Sequence, residues 1–269
     1  MGLLTSLDLW LVLGATLVAI VAFAAVTNWA IVRMLGPGPR DKAGTTAAAY
    51  MTALGSLFAI LTGFLISSEY LTLRDARNAL GAEVAAASQL AQASGSLTPA
   101  DTGKVQEDLT AYLSVLPAGE WTALEAGAAG ASPAAARLRS LQSTVFRVTS
   151  KPYVPGPAAS SLQESVNAIT TSRRQRLVIA SSGLPFPLFA LSLLAGLALI
   201  VNSLLVSARQ GARYGLVAAG IVLAVALDLG AILAISAPFT GAFVVDTTPV
   251  TELLDELARG AYLPWVNSP

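Results

Sequence analysis

Asp228 is the one ionisable side chain inside any long apolar stretch of the chain, near the middle of Gly215–Ala237. A carboxylate at that depth of a bilayer costs about 2.5–3.5 kcal/mol even on mild insertion scales, so its presence calls for a reason. Two readings stand side by side. Asp228 holds a proton or a cation, or it stays protonated or hydrogen-bonded and locks a helix bundle. Counting depth along each apolar stretch makes Thr16, Ser192 and nearby Thr62 its candidate hydrogen-bond partners. If ionised beside a water-filled path, it repels anions.

Three arginines, Arg173, Arg174 and Arg176, precede the third apolar stretch. They are candidates to attract anionic lipid headgroups, at about 1 kcal/mol each, or to serve as topology anchors on a solvated face. Glu69, Asp75 and Glu83 follow the second stretch. They read either as a cation-attracting vestibule or as ordinary helix-surface charges that pair at i+3 or i+4, as Asp75 or Arg77 would with neighbours. Enzyme chemistry finds no support: there is no GxSxG, no Walker loop and no His-based metal motif. With no Cys and no His, disulfides, thiolate nucleophiles and Cys/His zinc sites are excluded. No cofactor, no metal and no enzyme activity are expected.

The elements that must position these groups are membrane helices. The chain has 269 residues, 54% hydrophobic and 12% charged, against about 25% charged in globular proteins. Net charge is zero, from 16 basic and 16 acidic residues, which speaks against a nucleic-acid partner. Of the basic residues 13 are Arg, which resembles a GC-rich bacterial coding bias.

Residues 9–32 carry no charge, with Trp10 and Trp29 near the two ends, where interfacial aromatics belong. Ala22-Phe23-Ala24 has the form of a signal-peptidase site, but the apolar run continues to Val32 and no basic segment precedes it, so a retained helix is expected. Arg33–Thr46, with Gly36-Pro37-Gly38-Pro39, is expected to be a loop. Residues 47–66 are again charge-free, and 20 residues at about 1.5 Å each span a bilayer core. No Gly or Pro interrupts Ile66–Leu80, and Leu73, Ala76, Leu80, Val84 and Ala87 then recur at helical spacing. One helix is therefore expected to leave the membrane and continue to about Ala91. Gly55, Ala59 and Gly63 make a small-residue stripe on it, expected to seat a neighbouring helix.

Thr98-Pro99 with Asp101 signals the next helix start, a capping-box variant, with Val105, Leu109, Tyr112 and Leu116 on its apolar face. After a small-residue linker at Gly127–Gly130, Ser132-Pro133 opens a helix presenting Leu138, Leu141 and Val145. A further helix after Gly156-Pro157 presents Leu162, Val166, Ile169 and Leu177. Each narrow stripe must be buried against the others.

The expected fold is all-α: an integral membrane protein with four transmembrane helices (9–32, 47–66, 184–206 and 215–237). An α-helical soluble domain, 67–180, lies between the second and third. A tail, 242–269, holds a short amphipathic helix around Thr251–Arg259. An even number of spans puts both termini and the domain on one side. The side is not decided by charge. The short connections carry Arg33, Arg40, Lys42, Arg209 and Arg213, and the opposite side carries Arg74, Arg77, Arg173, Arg174 and Arg176.

Several motifs in order, Phe58-Ala59-Ile60-Leu61-Thr62-Gly63-Phe64, Asp75-Ala76-Arg77 with Glu83, Tyr112 followed by Glu120-Trp121, Arg173-Arg174-Gln175-Arg176-Leu177, Leu184-Pro185 and Pro238-Phe239-Thr240-Gly241, cover nearly the whole chain. Together they resemble the bestrophin-like membrane proteins of bacteria, a family of unknown function remotely similar to bestrophin anion channels. Ser236 departs from the pattern, which has an acidic residue before Pro-Phe.

The resemblance implies a homo-oligomer in the cell membrane, with the helical domain and termini cytoplasmic and the second span lining a pore for ions. Leu57, Leu61, Phe64 and Ser68 lie on one face of that span. Several copies around an axis make them a hydrophobic constriction ending in a hydroxyl ring, which gates by dewetting. The bland alternative is that this face meets lipid or another helix. A different function also stands: a non-conducting membrane scaffold or sensor whose helical domain binds a partner protein.

Overall fold

A computed structural model of the chain describes residues 2–34, 37–116, 132–181, 184–210, 212–236 and 245–263. The helices are α1 (Gly2–Met34), α2 (Pro37–Ser94), α3 (Pro99–Ser114), α4 (Pro133–Thr149), α5 (Gly156–Ser181), α6 (Phe186–Gln210), α7 (Ala212–Ile235) and α8 (Thr248–Ala258). No strand occurs among the described residues. Four stretches are long and apolar enough to cross a membrane: Leu9–Met34, Thr45–Ser94, Gly156–Ala208 and Gly215–Ile235. The chain is thus an all-helical, multi-pass membrane protein. Glu120-Trp121, the linker at Gly127–Gly130 and Pro238-Phe239-Thr240-Gly241 lie outside the described residues.

The expected loop at Arg33–Thr46 is corrected, because α2 is already helical at Pro37. Both prolines of Gly36-Pro37-Gly38-Pro39 fall in its first turn, where the backbone N–H groups have no intrahelical acceptor and proline's fixed φ suits the helix. The breaker cluster is a helix start.

The chain divides into two compact units. The first comprises Met1–Leu73 and Gly183–Val244. In it α1 packs on α7 and α6, and α6 on α7, around Ile20, Phe58, Leu65, Ile200, Val225, Leu229 and Ile232. Close approach is set by two glycines. A Cβ at Gly196 would sit 2.9 Å from both the Phe58 ring and Val225 Cγ1, and one at Gly230 would sit 2.8 Å from Leu13 Cδ2. The stripe expected to seat a helix does not do so within the protomer: nothing comes within 4 Å of a Cβ built at Gly55 or Gly63, and Ala59 is exposed. α2 turns its bulky Phe58 and Leu65 inward instead, so the small residues point away. Asn202 Nδ2 donates to the Ala47 carbonyl at 2.6 Å, tying α6 to α2.

The second unit comprises Arg74–Ser182 and Val245–Pro269. Here α3 packs on α4 and α8, and α4 on α5. The apolar stripes of Leu109, Leu113, Leu141, Leu162 and Ile169 are buried together with Leu80 and Leu90 of α2. The caps explain the helix starts. Ser132 accepts from Ala135 N at 3.2 Å with Pro133 following. Thr98 is the N-cap of α3 with Pro99 behind it, but its hydroxyl makes no bond to the helix backbone and donates to Asp101 Oδ2 at 3.2 Å.

Candidate functional site

On α2 the described residues separate into two faces. Phe58, Thr62, Leu65, Glu69 and Leu73 follow one another at spacings of four and three and are all buried. Opposite them Leu57 and Phe64 are exposed, with Ile60 the most exposed of this face at 69% and Leu71 at its far end. Leu61 and Ser68, on the same face by sequence spacing, are half-buried at its margin. The centre of the outward face is therefore the line Leu57, Ile60, Phe64 and Leu71.

The first unit holds two carboxyl groups in apolar surroundings. Asp228 on α7 is half-buried, and none of its expected partners bonds it. Thr16 donates to the Val12 carbonyl at 2.8 Å and Thr62 to that of Phe58 at 2.8 Å, each satisfied by its own helix. Ser192 Oγ is buried and makes no hydrogen bond. Helix back-bonding outcompetes an interhelical bond for the two threonines because the acceptor is already in place one turn away. Glu69 on α2 is 4% exposed and likewise makes no hydrogen bond among the described residues.

The second unit contains a buried ionic cluster assembled from three helices. Arg176 of α5 donates from Nε to Glu83 Oε2 at 2.8 Å and from Nη2 to Oε1 at 3.2 Å, and both side chains are fully buried. The Tyr112 hydroxyl of α3 donates to the same Glu83 Oε1. A fork of two N–H groups plus a phenol gives one carboxylate three hydrogen bonds, which offset part of the cost of burying the ion pair. Arg173 is also buried, and its Nη2 donates at 3.1 Å to the hydroxyl of Ser132, the N-cap of α4. Of the three arginines only Arg174 is exposed. The guanidinium of Arg176 faces protein.

Asp75 and Arg77 are exposed, and no ion pair joins them among the described residues. Glu83 belongs to the buried seam of α2, and Val84 beside it is only half-buried. A signal for these positions exists in the sequence. Leu162, Val166, Ile169, Arg173 and Arg176 continue one spacing of four and three, as do Leu73, Ala76, Leu80, Glu83 and Ala87. A charged residue that keeps the period of an apolar stripe is a candidate for a buried pair.

A second polar cluster staples the start of α3. Asp101 accepts from Lys151 Nζ at 2.5 Å and from the Tyr153 hydroxyl at 2.6 Å. The Lys151 ammonium, then the Tyr153 hydroxyl, hold the Asp101 carboxyl below its ordinary range, and Asp101 in turn holds Lys151 above its own. Among the described residues no group of three or more acidic, His or Cys side chains is placed to hold a metal ion.

Comparison with known proteins adds the following. A family model described as the Bestrophin-like domain matches residues 18–250. A point variant of a protein described only as a membrane protein superposes with a TM-score of 0.69 at 14% identity, over 92% of this chain and 97% of the other. A bestrophin homolog from Klebsiella pneumoniae superposes with a TM-score of 0.65 at 13% identity, over 93% and 99%. A second variant of that homolog gives 0.65 at 14% identity, over 97% and 100%. At these identities the structures are similar in fold. No match is found among curated proteins.

Proposed function

Because the chain belongs to the bestrophin-like family, we propose that it is a homo-oligomeric ion channel of the cell membrane, with α2 lining an axial path. The observation that carries this reading is the outward face of α2. Leu57, Ile60 and Phe64 stand exposed on a helix whose opposite face is buried without a break. Copies arranged around an axis would bring Leu57, Ile60 and Phe64 together as an apolar constriction, with Leu61 and Ser68 at its margin, and a ring of this kind gates by dewetting.

In this reading residues 67–180 lie outside the bilayer on the cytoplasmic side with both termini, and Arg174 is the arginine left to anchor that boundary. Asp228 sits off the α2 face. Its charge would oppose anions near the path, so anion selectivity is not carried over from the resemblance.

The test is reconstitution into planar bilayers, with oligomeric state measured by native mass spectrometry. Current that changes with Phe64→Ala supports the channel. Silent bilayers containing folded oligomer would sink it. A monomer or dimer that co-purifies with another protein would favour a scaffold or sensor instead.

A further inference from the structure

The chain is neutral as a whole, yet α4 and α5 of the second unit carry six arginines and a single acid, Glu164. Of the six, Arg176 is committed to Glu83. Three others, Arg139 of α4 and Arg173 and Arg174 of α5, line one cleft of about 340 Å³ between these helices. Leu138, Gln142 and Thr170 line it too, and none of its lining residues is acidic. Gln142 Nε2 donates to Thr170 Oγ1 at 2.9 Å, and Gln163 Nε2 donates to Thr149 Oγ1 at 3.1 Å. These two bonds fix one antiparallel register of α4 on α5, and one turn along it Arg139 stands opposite Arg173 and Arg174.

The three guanidiniums differ in what holds them. Arg173 is 8% exposed and its Nη2 donates to the Ser132 hydroxyl at 3.1 Å, so it forms part of the floor. Arg139 is exposed, and its Nε donates to the Ala135 carbonyl at 3.3 Å, which keeps the side chain beside Ala135 in the cleft lining. Arg174 is exposed and makes no hydrogen bond among the described residues. No carboxylate among the described residues pairs with Arg139 or Arg174. Asp108 of α3 meets α4 at Ser140, at 3.2 Å, and does not line the cleft. Like charges on two facing helices with no counter-charge between them raise a positive potential that an anion relieves.

Guanidinium forks on opposite walls suit a tetrahedral anion, whose oxygens accept a bidentate pair from each side. A phosphate monoester carries about −1.5 to −2 charge at pH 7, which matches two unpaired cations better than a single carboxylate does. The cleft has the volume of roughly ten waters at about 30 Å³ each, room for a phosphate and a short carbon skeleton. We propose that the α4–α5 cleft binds a phosphate monoester, gripped between Arg139 and Arg174 over the buried Arg173. Ala135 and Leu138 meet its carbon part. The phosphate belongs either to a small free ester or to the headgroup of phosphatidic acid, which presents the same group. The site uses no residue of the outward α2 face and holds whether or not the chain conducts.

Isothermal titration calorimetry of the whole chain in mild detergent, with glycerol 3-phosphate against glycerol, tests the site. The wild type should bind one glycerol 3-phosphate per protomer saturably, and glycerol not at all. Arg139→Gln with Arg174→Gln should weaken binding about tenfold or more, tenfold being the change that 1.4 kcal/mol produces. Both side chains are exposed and outside any ion pair among the described residues, so the melting temperature should stay the same. Should the double variant fail to fold, Arg174→Gln alone gives the same reading with a smaller loss. Arg147→Gln, on α4 but outside the cleft lining, should leave binding unchanged. A loss from Arg147→Gln as large as that of the double variant would mean a diffuse basic surface, and unaltered binding by the double variant would mean another site. Either result, or no binding by the wild type of glycerol 3-phosphate or phosphatidic acid, overturns the proposal. Native mass spectrometry with dioleoyl-phosphatidic acid or dioleoyl-phosphatidylcholine then distinguishes the sources. Preferential retention of phosphatidic acid, lost in the double variant, supports the headgroup. Equal retention of the two lipids, with glycerol 3-phosphate bound, supports the free ester.

Discussion

Arg176 grips Glu83 through two N–H groups across 93 residues of sequence, at 2.8 and 3.2 Å, with no solvent on either side chain. Removing one partner strands a buried charge, so Arg176→Leu and Glu83→Leu should each destabilise by about 3–5 kcal/mol. The double variant should recover much of that loss. Tyr112→Phe, which removes one hydrogen bond to a charged group, should cost about 1.5–3 kcal/mol. Thermal unfolding of the five proteins in detergent, four read as a double-mutant cycle and Tyr112→Phe as a side arm, checks these values. Additive losses for Arg176 and Glu83 would deny the coupling.

Asp101 and Lys151 make stability depend on pH in a defined window. The Asp101 carboxyl is held low in the folded state, so its contribution is present above the unfolded value of about 3.9 and lost as pH falls through the lower folded value. Lys151 is held high, so its contribution is present below about 10.4 and lost as pH rises through the folded value. Denaturant titrations of wild type and Asp101→Asn should differ by a constant amount from about pH 5 to about pH 9, and by less once Lys151 loses its proton. That difference should close below about pH 4.

Gly196 and Gly230 predict unequal penalties. A methyl at Gly196 meets Phe58 and Val225, from two helices, each at 2.9 Å, and Phe58 is itself 5% exposed. Gly196→Ala should destabilise by about 1–3 kcal/mol through overpacking. At Gly230 the near atom, at 2.8 Å, is the end of the flexible Leu13 side chain. Gly230→Ala should cost less, and Gly55→Ala, with nothing within 4 Å, should be close to neutral or stabilising in the protomer. Melting temperatures in that order would verify the packing.

Asp228→Leu removes a half-buried carboxyl that no described side chain bonds. It should raise thermal stability, by up to about 2.5 kcal/mol, because no hydrogen bond is lost with the charge. A lower melting temperature would mean that the carboxyl locks the bundle. If ion flux falls while stability rises, the group serves transport.

The four apolar stretches and the all-helical class were legible from residue order alone. A charge-free run near 20 residues has few other uses, and apolar recurrence at three and four fits only a helix. Even the misreading at Pro37 was local: proline forbids a helix interior and favours a first turn, and the residues around it do not say which applies.

What only the tertiary structure decided is which neighbour each helix face meets. Positions i+3 and i+4 share a face, and apolar character alone puts Val84, not Glu83, on the seam. Arg176, distant in sequence, settles it by pairing with Glu83. Ser132 likewise draws Arg173 inward. Gly55 and Gly63 have the residue type for a tight crossing, yet Gly196 and Gly230 make it. Small size permits close approach, and contact needs a partner, which a single helix cannot specify.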